Sequence, residues 1–169
     1  MWHLLLTARH RLTLLAHIPS AWPLAKKNRI TSKYGPRKHP ITGVNKMHKG
    51  VDLRCVKGTP ILATAHGVVA SSVKTKGFGN IITLTHSYGF ASRYAHLDKR
   101  LVTQGEFVQQ GQVFGLCGTT GLSNAPHLHY EIKFLANQSD PKPFMAWGVA
   151  NYDDLFKQVQ EIKWQSLIK

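Results

Sequence analysis

From residue 51 onward the chain is a succession of short apolar or alternating segments divided by glycines, and this recurrence restricts the fold more than any other feature. Residues 51–54, 60–64, 68–73, 80–85, 90–96, 112–117 and 127–134 each read as a strand. Gly58, Gly67, Gly77, Gly79, Gly89, Gly105, Gly111, Gly118 and Gly121 separate most of them. Segments of this length with turn signals between them and no helical period predict a mainly β, antiparallel domain. Upstream, residues 30–35 read as a short strand. Residues 36–45 (PRKHPITGVN) are dense in turn formers and read as a loop. Near the end, Leu155, Phe156, Val159 and Ile162 fall at helical spacing, with Asp153 and Asp154 in the first turn. They predict a short C-terminal amphipathic helix over 152–164, which packs on the sheet or meets a protein partner.

A chain of 169 residues can bury one domain's core without staples. Lys and Arg outnumber Asp and Glu by 22 to 8, a formal charge of +14, so the surface favours polyanionic surroundings. No helix-turn-helix pattern, RRM-type aromatic motif or pair of zinc-finger cysteines accompanies that charge, which argues against nucleic acid. Cys55 and Cys117 are too few for a disulfide framework and too widely spaced for a CxxC metal clip. Two buried free thiols are expected, with a single bridge in an oxidising compartment as the alternative. Residues 1–29 are set apart by Pro19, Pro23 and the basic turn Lys26-Lys27-Asn28-Arg29. Their apolar run is interrupted by Arg9, His10 and Arg11, so it completes neither a membrane span nor a signal-peptide core. A truncated export or anchor region and a membrane-surface or docking helix both remain open.

The chemistry concentrates in Asn124-Ala125-Pro126-His127-Leu128-His129-Tyr130-Glu131-Ile132-Lys133. On a strand, Leu128, Tyr130 and Ile132 face a core while His127, His129 and Glu131 share the other face. Paired imidazoles there suit a metal, or a metal beside a reacting water or oxyanion. In Met47-His48-Lys49-Gly50-Val51-Asp52, a glycine between His48 and Asp52 could kink the backbone and turn both side chains to one point. His48, Asp52 and His129 could then supply three ligands and leave a fourth position open, as catalytic zinc sites do. His127 stands next to that set, and Tyr94-Ala95-His96-Leu97 places His96 at a strand end.

His48-Lys49-Gly50-Val51-Asp52, Tyr94 to Leu97 and Pro126 to Glu131, in this order, resemble the motifs of the LytM/lysostaphin-type zinc metallopeptidases, the M23 peptidoglycan endopeptidases. Residues 32–43, Lys57 to Ile61 and Gly118 to Ser123 are similar to the family in the same register. The resemblance covers about residues 30–145 and leaves 1–29 and 146–169 as flanking segments. It implies a LytM-type fold with a duplicated hybrid motif, Zn2+ held by His48, Asp52 and His129, and His96 and His127 as catalytic histidines. It also implies peptidoglycan stem peptides as substrate, most specifically a D-Ala-diaminopimelate crosslink, in the periplasm or cell envelope. Residues 140–147 and 164–168 resemble members that set cell shape in curved and helical Gram-negative bacteria. Asn124, Ala125 and Cys117 depart from common family residues, which bears on substrate fit.

The alternative is a non-catalytic LytM-type module that binds the wall or activates another hydrolase; such proteins usually lack some of the five residues, all present here. Among the other histidines, His86 is expected to be a structural hydrogen-bonding residue, and His39 and His66 to be solvated. His3, His10 and His17 would line one helix face as a surface stripe. Glu131 is assigned a supporting or structural place. Arg93 and Tyr94 are candidates for substrate contact, and Arg37 for pairing with a carboxylate.

Overall fold

The computed structural model describes residues 13–38 and 43–145. The expected antiparallel strands assemble into one large sheet, one small sheet and a ribbon. The large sheet takes the order β1 (Ile30–Ser32), β4 (Val51–Arg54), β12 (His127–Phe134), β8 (Phe90–Leu97), β7 (Gly79–Thr85), β6 (Gly67–Thr75) and β10 (Phe107–Val108), with β13 (Asn137–Ser139) also pairing with β12. The small sheet runs β5 (Pro60–Leu62), β11 (Val113–Leu116), β9 (Lys99–Arg100), and the ribbon pairs β2 (Gly35–Lys38) with β3 (Asn45–His48). Helix α1 covers residues 13–17 and α2 covers Pro141–Met145.

The alternation on β12 sets the layers. Leu128, Tyr130 and Ile132 are fully buried, together with Leu53 of β4, Ile82 and Leu84 of β7 and Tyr94 of β8. The small sheet covers this face with Ile61 and Phe114, and the Phe114 ring meets Tyr94 edge-on at 4.7 Å between centroids. Burying each such side chain contributes about 1.5–3 kcal/mol. Leu15, Ile18 and Leu24 join the same core, and the His66 and Ala21 amides donate to the Ala16 and Thr64 carbonyls at 2.7 and 3.1 Å. No helix among the described residues is long and apolar enough to cross a membrane.

Two expectations are corrected. The segment 36–45 is not loop throughout, because β2 and β3 pair across it in the register Gly35↔His48 and Arg37↔Lys46. This ribbon stands off the large sheet and carries mostly exposed residues, so no apolar alternation marks it. The two cysteines are not free thiols: Cys55 and Cys117 form a disulfide with Cα atoms 6.4 Å apart. Cys55 follows β4 and Cys117 follows β11, so the bond ties the large sheet to the small one. The helix expected over 152–164 lies outside the described residues.

The bridge closes a loop between positions 62 residues apart, which corresponds to about 4 kcal/mol in the chain-entropy account. Cys55→Ala/Cys117→Ala is expected to lower the free energy of urea unfolding by about 2–4 kcal/mol. An unchanged unfolding midpoint would contradict the bridge.

Candidate active site

The side of β12 facing away from the core forms the floor of a groove, and pairing with β4 fixes what stands on it. His129 is the register partner of Asp52, and His127 of Arg54. Cross-strand partners share a face, so the histidines and the aspartate are brought together by sheet geometry alone. His48 arrives from the end of β3 through the turn at Gly50. A Cβ on Gly50 would collide with the Tyr130 carbonyl, so glycine lets this turn lie against β12.

The three side chains converge. His129 Nδ1 lies 2.9 Å from Asp52 Oδ1, His48 Nε2 lies 3.2 Å from the same oxygen, and the two ring nitrogens are 3.1 Å apart. Surrounding acceptors set the tautomers. His48 Nδ1–H donates to the Lys33 carbonyl at 2.7 Å, and His129 Nε2–H donates to Glu131 Oε1 at 3.1 Å. With those protons turned outward, the inward nitrogens of both rings are left to offer lone pairs to a cation or to hold a proton toward the Asp52 oxygen. Three acceptors so close repel one another unless a cation or proton lies among them. Tetrahedral zinc with ligands at about 2.0–2.1 Å requires donor separations of about 3.3 Å, close to those observed. The donor set thus fits a metal ion, and its ligand atoms all lie within 4.8 Å of one another.

The electrostatics agree. Burial opposes ionisation of Asp52, but hydrogen bonds from His129 and His48 outweigh it and hold the carboxyl far below the usual range. Burial likewise opposes charge on His129, yet the hydrogen bonds to Asp52 and Glu131 prevail and raise it. Glu131 is 1% exposed and is also approached by Arg93 Nη1 at 3.5 Å and Gln138 Nε2 at 3.1 Å. Its negative charge is thereby compensated while it orients His129, as carboxylates behind metal-binding histidines do.

Beside this cluster stand His96 and His127, with ring centroids 4.7 Å apart. His96 Nδ1–H donates to the Thr120 carbonyl and His127 Nδ1–H to the Ala125 carbonyl, both at 2.8 Å. Each ring turns its Nε2 to the groove, and that of His127 lies 3.8 Å from Asp52 Oδ1. Burial pushes His96 down to about 4, so its ring is neutral near pH 7. His96 has φ +61°, an uncommon left-handed conformation for a non-glycine residue that turns it out of the strand. Its amide is secured to the Phe78 carbonyl at 2.9 Å.

The five histidine and aspartate positions singled out in the sequence thus share one groove, of about 830 Å³, between the ribbon and the loop at 122–126. Arg37 pairs with Asp52 Oδ2 at 3.2 Å. The sequence could not reveal the carbonyl partners of His48, His96 and His127, or Phe78, whose ring lies 5.7 Å from that of His129. Backbone acceptors leave no trace in residue identity.

Two assignments change. Tyr94 is fully buried and does not reach the groove; its hydroxyl bonds Thr64 and Ser92 on the core side. His66 is half-buried rather than solvated, and its Nδ1 accepts from the Gln110 amide at 2.9 Å. His3, His10 and His39 lie outside the described residues. His86 is the structural histidine expected: Nδ1–H donates to the His66 carbonyl at 2.8 Å, and Nε2 faces Ser92 Oγ at 2.7 Å.

The sequence profile described as peptidase family M23 matches residues 46–141. The peptidoglycan DD-endopeptidase ShyC of Vibrio cholerae is 44% identical over 116 residues, which cover 68% of this chain and 26% of ShyC. The chain therefore spans about a quarter of that relative's length. A zinc-containing peptidase from Vibrio cholerae superposes with a TM-score of 0.68 at 36% identity, covering 79% of this chain and 40% of that one. The catalytic domain of lysostaphin from Staphylococcus simulans gives 0.65 at 36% identity, covering 71% of this chain and 93% of that one.

Two outcomes are expected. Glu131→Gln should weaken zinc binding about 10–100-fold in a competitive chelator titration; equal affinity would remove Glu131 from the site. Burial holds folded His86 near 4, while the unfolded chain takes up the proton below about 6.5. Its contribution is complete above the latter value and lost as pH falls through the former. Urea unfolding of the metal-free protein should show falling stability over that interval, with a shallower slope in His86→Gln.

Proposed function

Because the chain belongs to peptidase family M23, we propose that it is a zinc-dependent endopeptidase that hydrolyses peptide crosslinks of bacterial peptidoglycan outside the cytoplasmic membrane. The observation that carries this reading is the convergence of two imidazole lone pairs and one carboxylate beside two further imidazoles, on the floor of a peptide-sized groove. His48 Nε2, His129 Nδ1 and Asp52 Oδ1 would hold the zinc, which supplies Lewis acidity toward a peptide carbonyl and a water. The relative named a peptidoglycan DD-endopeptidase supports the D-Ala-diaminopimelate bond as the one cut.

The protein's own part in the hydrolysis is proton handling. His96 is neutral and its Nδ1–H is fixed on Thr120, so Nε2 is free to accept a proton from the attacking water. The hydroxyl adds to the carbonyl carbon, and the carbon–nitrogen bond breaks as the leaving amine takes up a proton, supplied by protonated His127 or returned by His96. His127, with Nδ1–H held by Ala125, turns Nε2 to the same space, where in its protonated form it is placed to donate to the developing oxyanion or to the amine. The presence of all five residues favours catalysis over a purely wall-binding or activating module. The formal charge of +14 suits adhesion to an anionic envelope.

The test is digestion of purified crosslinked muropeptides followed by mass analysis. Cleavage should stop with a chelator and return with zinc. His96→Asn, which tolerates the left-handed backbone, and His127→Ala should each lower the rate about 10²–10⁴-fold without unfolding the protein. Full activity in both variants would place the chemistry elsewhere.

A further inference from the structure

The groove is electrically lopsided. On the side of β2, β3 and β4 it is lined by Arg37, Lys46, Lys49 and Arg54. Across the floor, the Gly77–Phe78 turn and the loop at 122–126 contribute no charged side chain. Hydrogen bonds join these neutral elements into one wall: the Leu122 amide donates to the Gly77 carbonyl at 2.8 Å, and the Asn80 amide to Thr120 Oγ1 at 2.9 Å. The acidic groups lining the groove are Asp52 and Glu131, and both are engaged by histidine and arginine. Asp52 offsets part of the charge of Arg37, and neither acid pairs with Lys46, Lys49 or Arg54.

The four cations have charge to spare. Among the described residues Lys46, Lys49 and Arg54 form no ion pair, and their side chains belong to exposed residues. Arg54 stands on the same face as His127, its register partner, and so flanks the reacting position. Arg37 uses Nη2 on Asp52 Oδ2, while a guanidinium carries five N–H donors in a planar fork. An extended neutral peptide, such as a run of glycines, offers these groups carbonyl acceptors but no negative charge. A peptide with free carboxylates along one edge does.

We infer that Arg37, Lys46, Lys49 and Arg54 form a specificity wall that selects substrates carrying free carboxylates beside the scissile bond, and that the opposite wall accommodates the uncharged edge of the peptide. This rests on the peptidase reading above and narrows its substrate class to acidic peptides. The carboxylates are bound in both ground and transition states, so the wall acts on KM and leaves kcat largely unchanged. Because the lysines and Arg54 are solvent-exposed, the selection weakens as salt rises.

The test compares one crosslinked diaminopimelate peptide with its counterpart in which the free carboxylates are amidated. Wild-type protein is expected to cleave the carboxylate form with a KM about tenfold lower and a similar kcat, the advantage shrinking from 50 to 500 mM salt. Lys46→Gln/Lys49→Gln/Arg54→Gln should reduce the ratio to near one while cleaving the amidated peptide as wild type does. Equal KM values for the two peptides in wild type, or undiminished preference in the triple variant, would overturn the wall. A parallel measurement of peptide binding to zinc-loaded His96→Asn separates the two levels of the account. If neither peptide is cleaved, the peptidase reading fails, and binding that ignores the carboxylates then overturns the wall as well. Cleavage of both with equal affinity overturns the wall alone.

Discussion

The antiparallel pairing of β4 with β12 is the constraint on which the rest of the molecule depends. It sets Asp52 opposite His129 and Arg54 opposite His127, while Leu53 and Leu128 pair on the core side. Because side chains alternate strictly along a strand, a slip of one residue would bury the imidazoles and expose Leu128, Tyr130 and Ile132. The apolar core thus does more than stabilise the sheet. Its preference for those three side chains selects the register that brings nitrogen and oxygen donors to one point.

Register alone would gather the donors without aiming them. Aim comes from a surrounding set of fixed acceptors: the Lys33 carbonyl behind His48, the Glu131 carboxylate behind His129, and the Thr120 and Ala125 carbonyls behind His96 and His127. Each takes one ring proton and so directs the opposite nitrogen toward the groove. The elements supplying these acceptors come from distant parts of the chain. The Cys55–Cys117 bridge ties one of them to the strand that carries Asp52, since it lies three residues from Asp52 on one side and three from Thr120 on the other.

How much of this was legible in the sequence follows from what each feature depends on. Strands β4 and β12 were readable to their ends because both alternate apolar with polar side chains. His48, Asp52 and His129 were readable as a donor set from residue type and spacing, whereas His96 and His127 were singled out chiefly by the resemblance to the M23 motifs. The ribbon was not readable, since Pro36, Lys38 and Lys46 are exposed and the pair has no apolar buried face. The two-residue strands β9 and β10 are too short to show any period. The burial of Tyr94 was not legible, because its phase of β8 runs Phe90, Ser92, Tyr94 and His96 and is half polar, and His96 leaves that phase through its left-handed backbone. The disulfide depended on two strand ends meeting across separate sheets, which no local pattern encodes.

The central claim is that sheet register and ring tautomer together create a three-donor metal site with chosen atoms. Crystals of the zinc-loaded protein, with anomalous diffraction collected across the zinc edge, test it most directly. The expected result is one peak about 2.0–2.1 Å from His48 Nε2, His129 Nδ1 and an oxygen of Asp52, with Glu131 still accepting from His129 Nε2. A peak bound instead by His96 or His127, or by the Nε2 atom of His129, would contradict it.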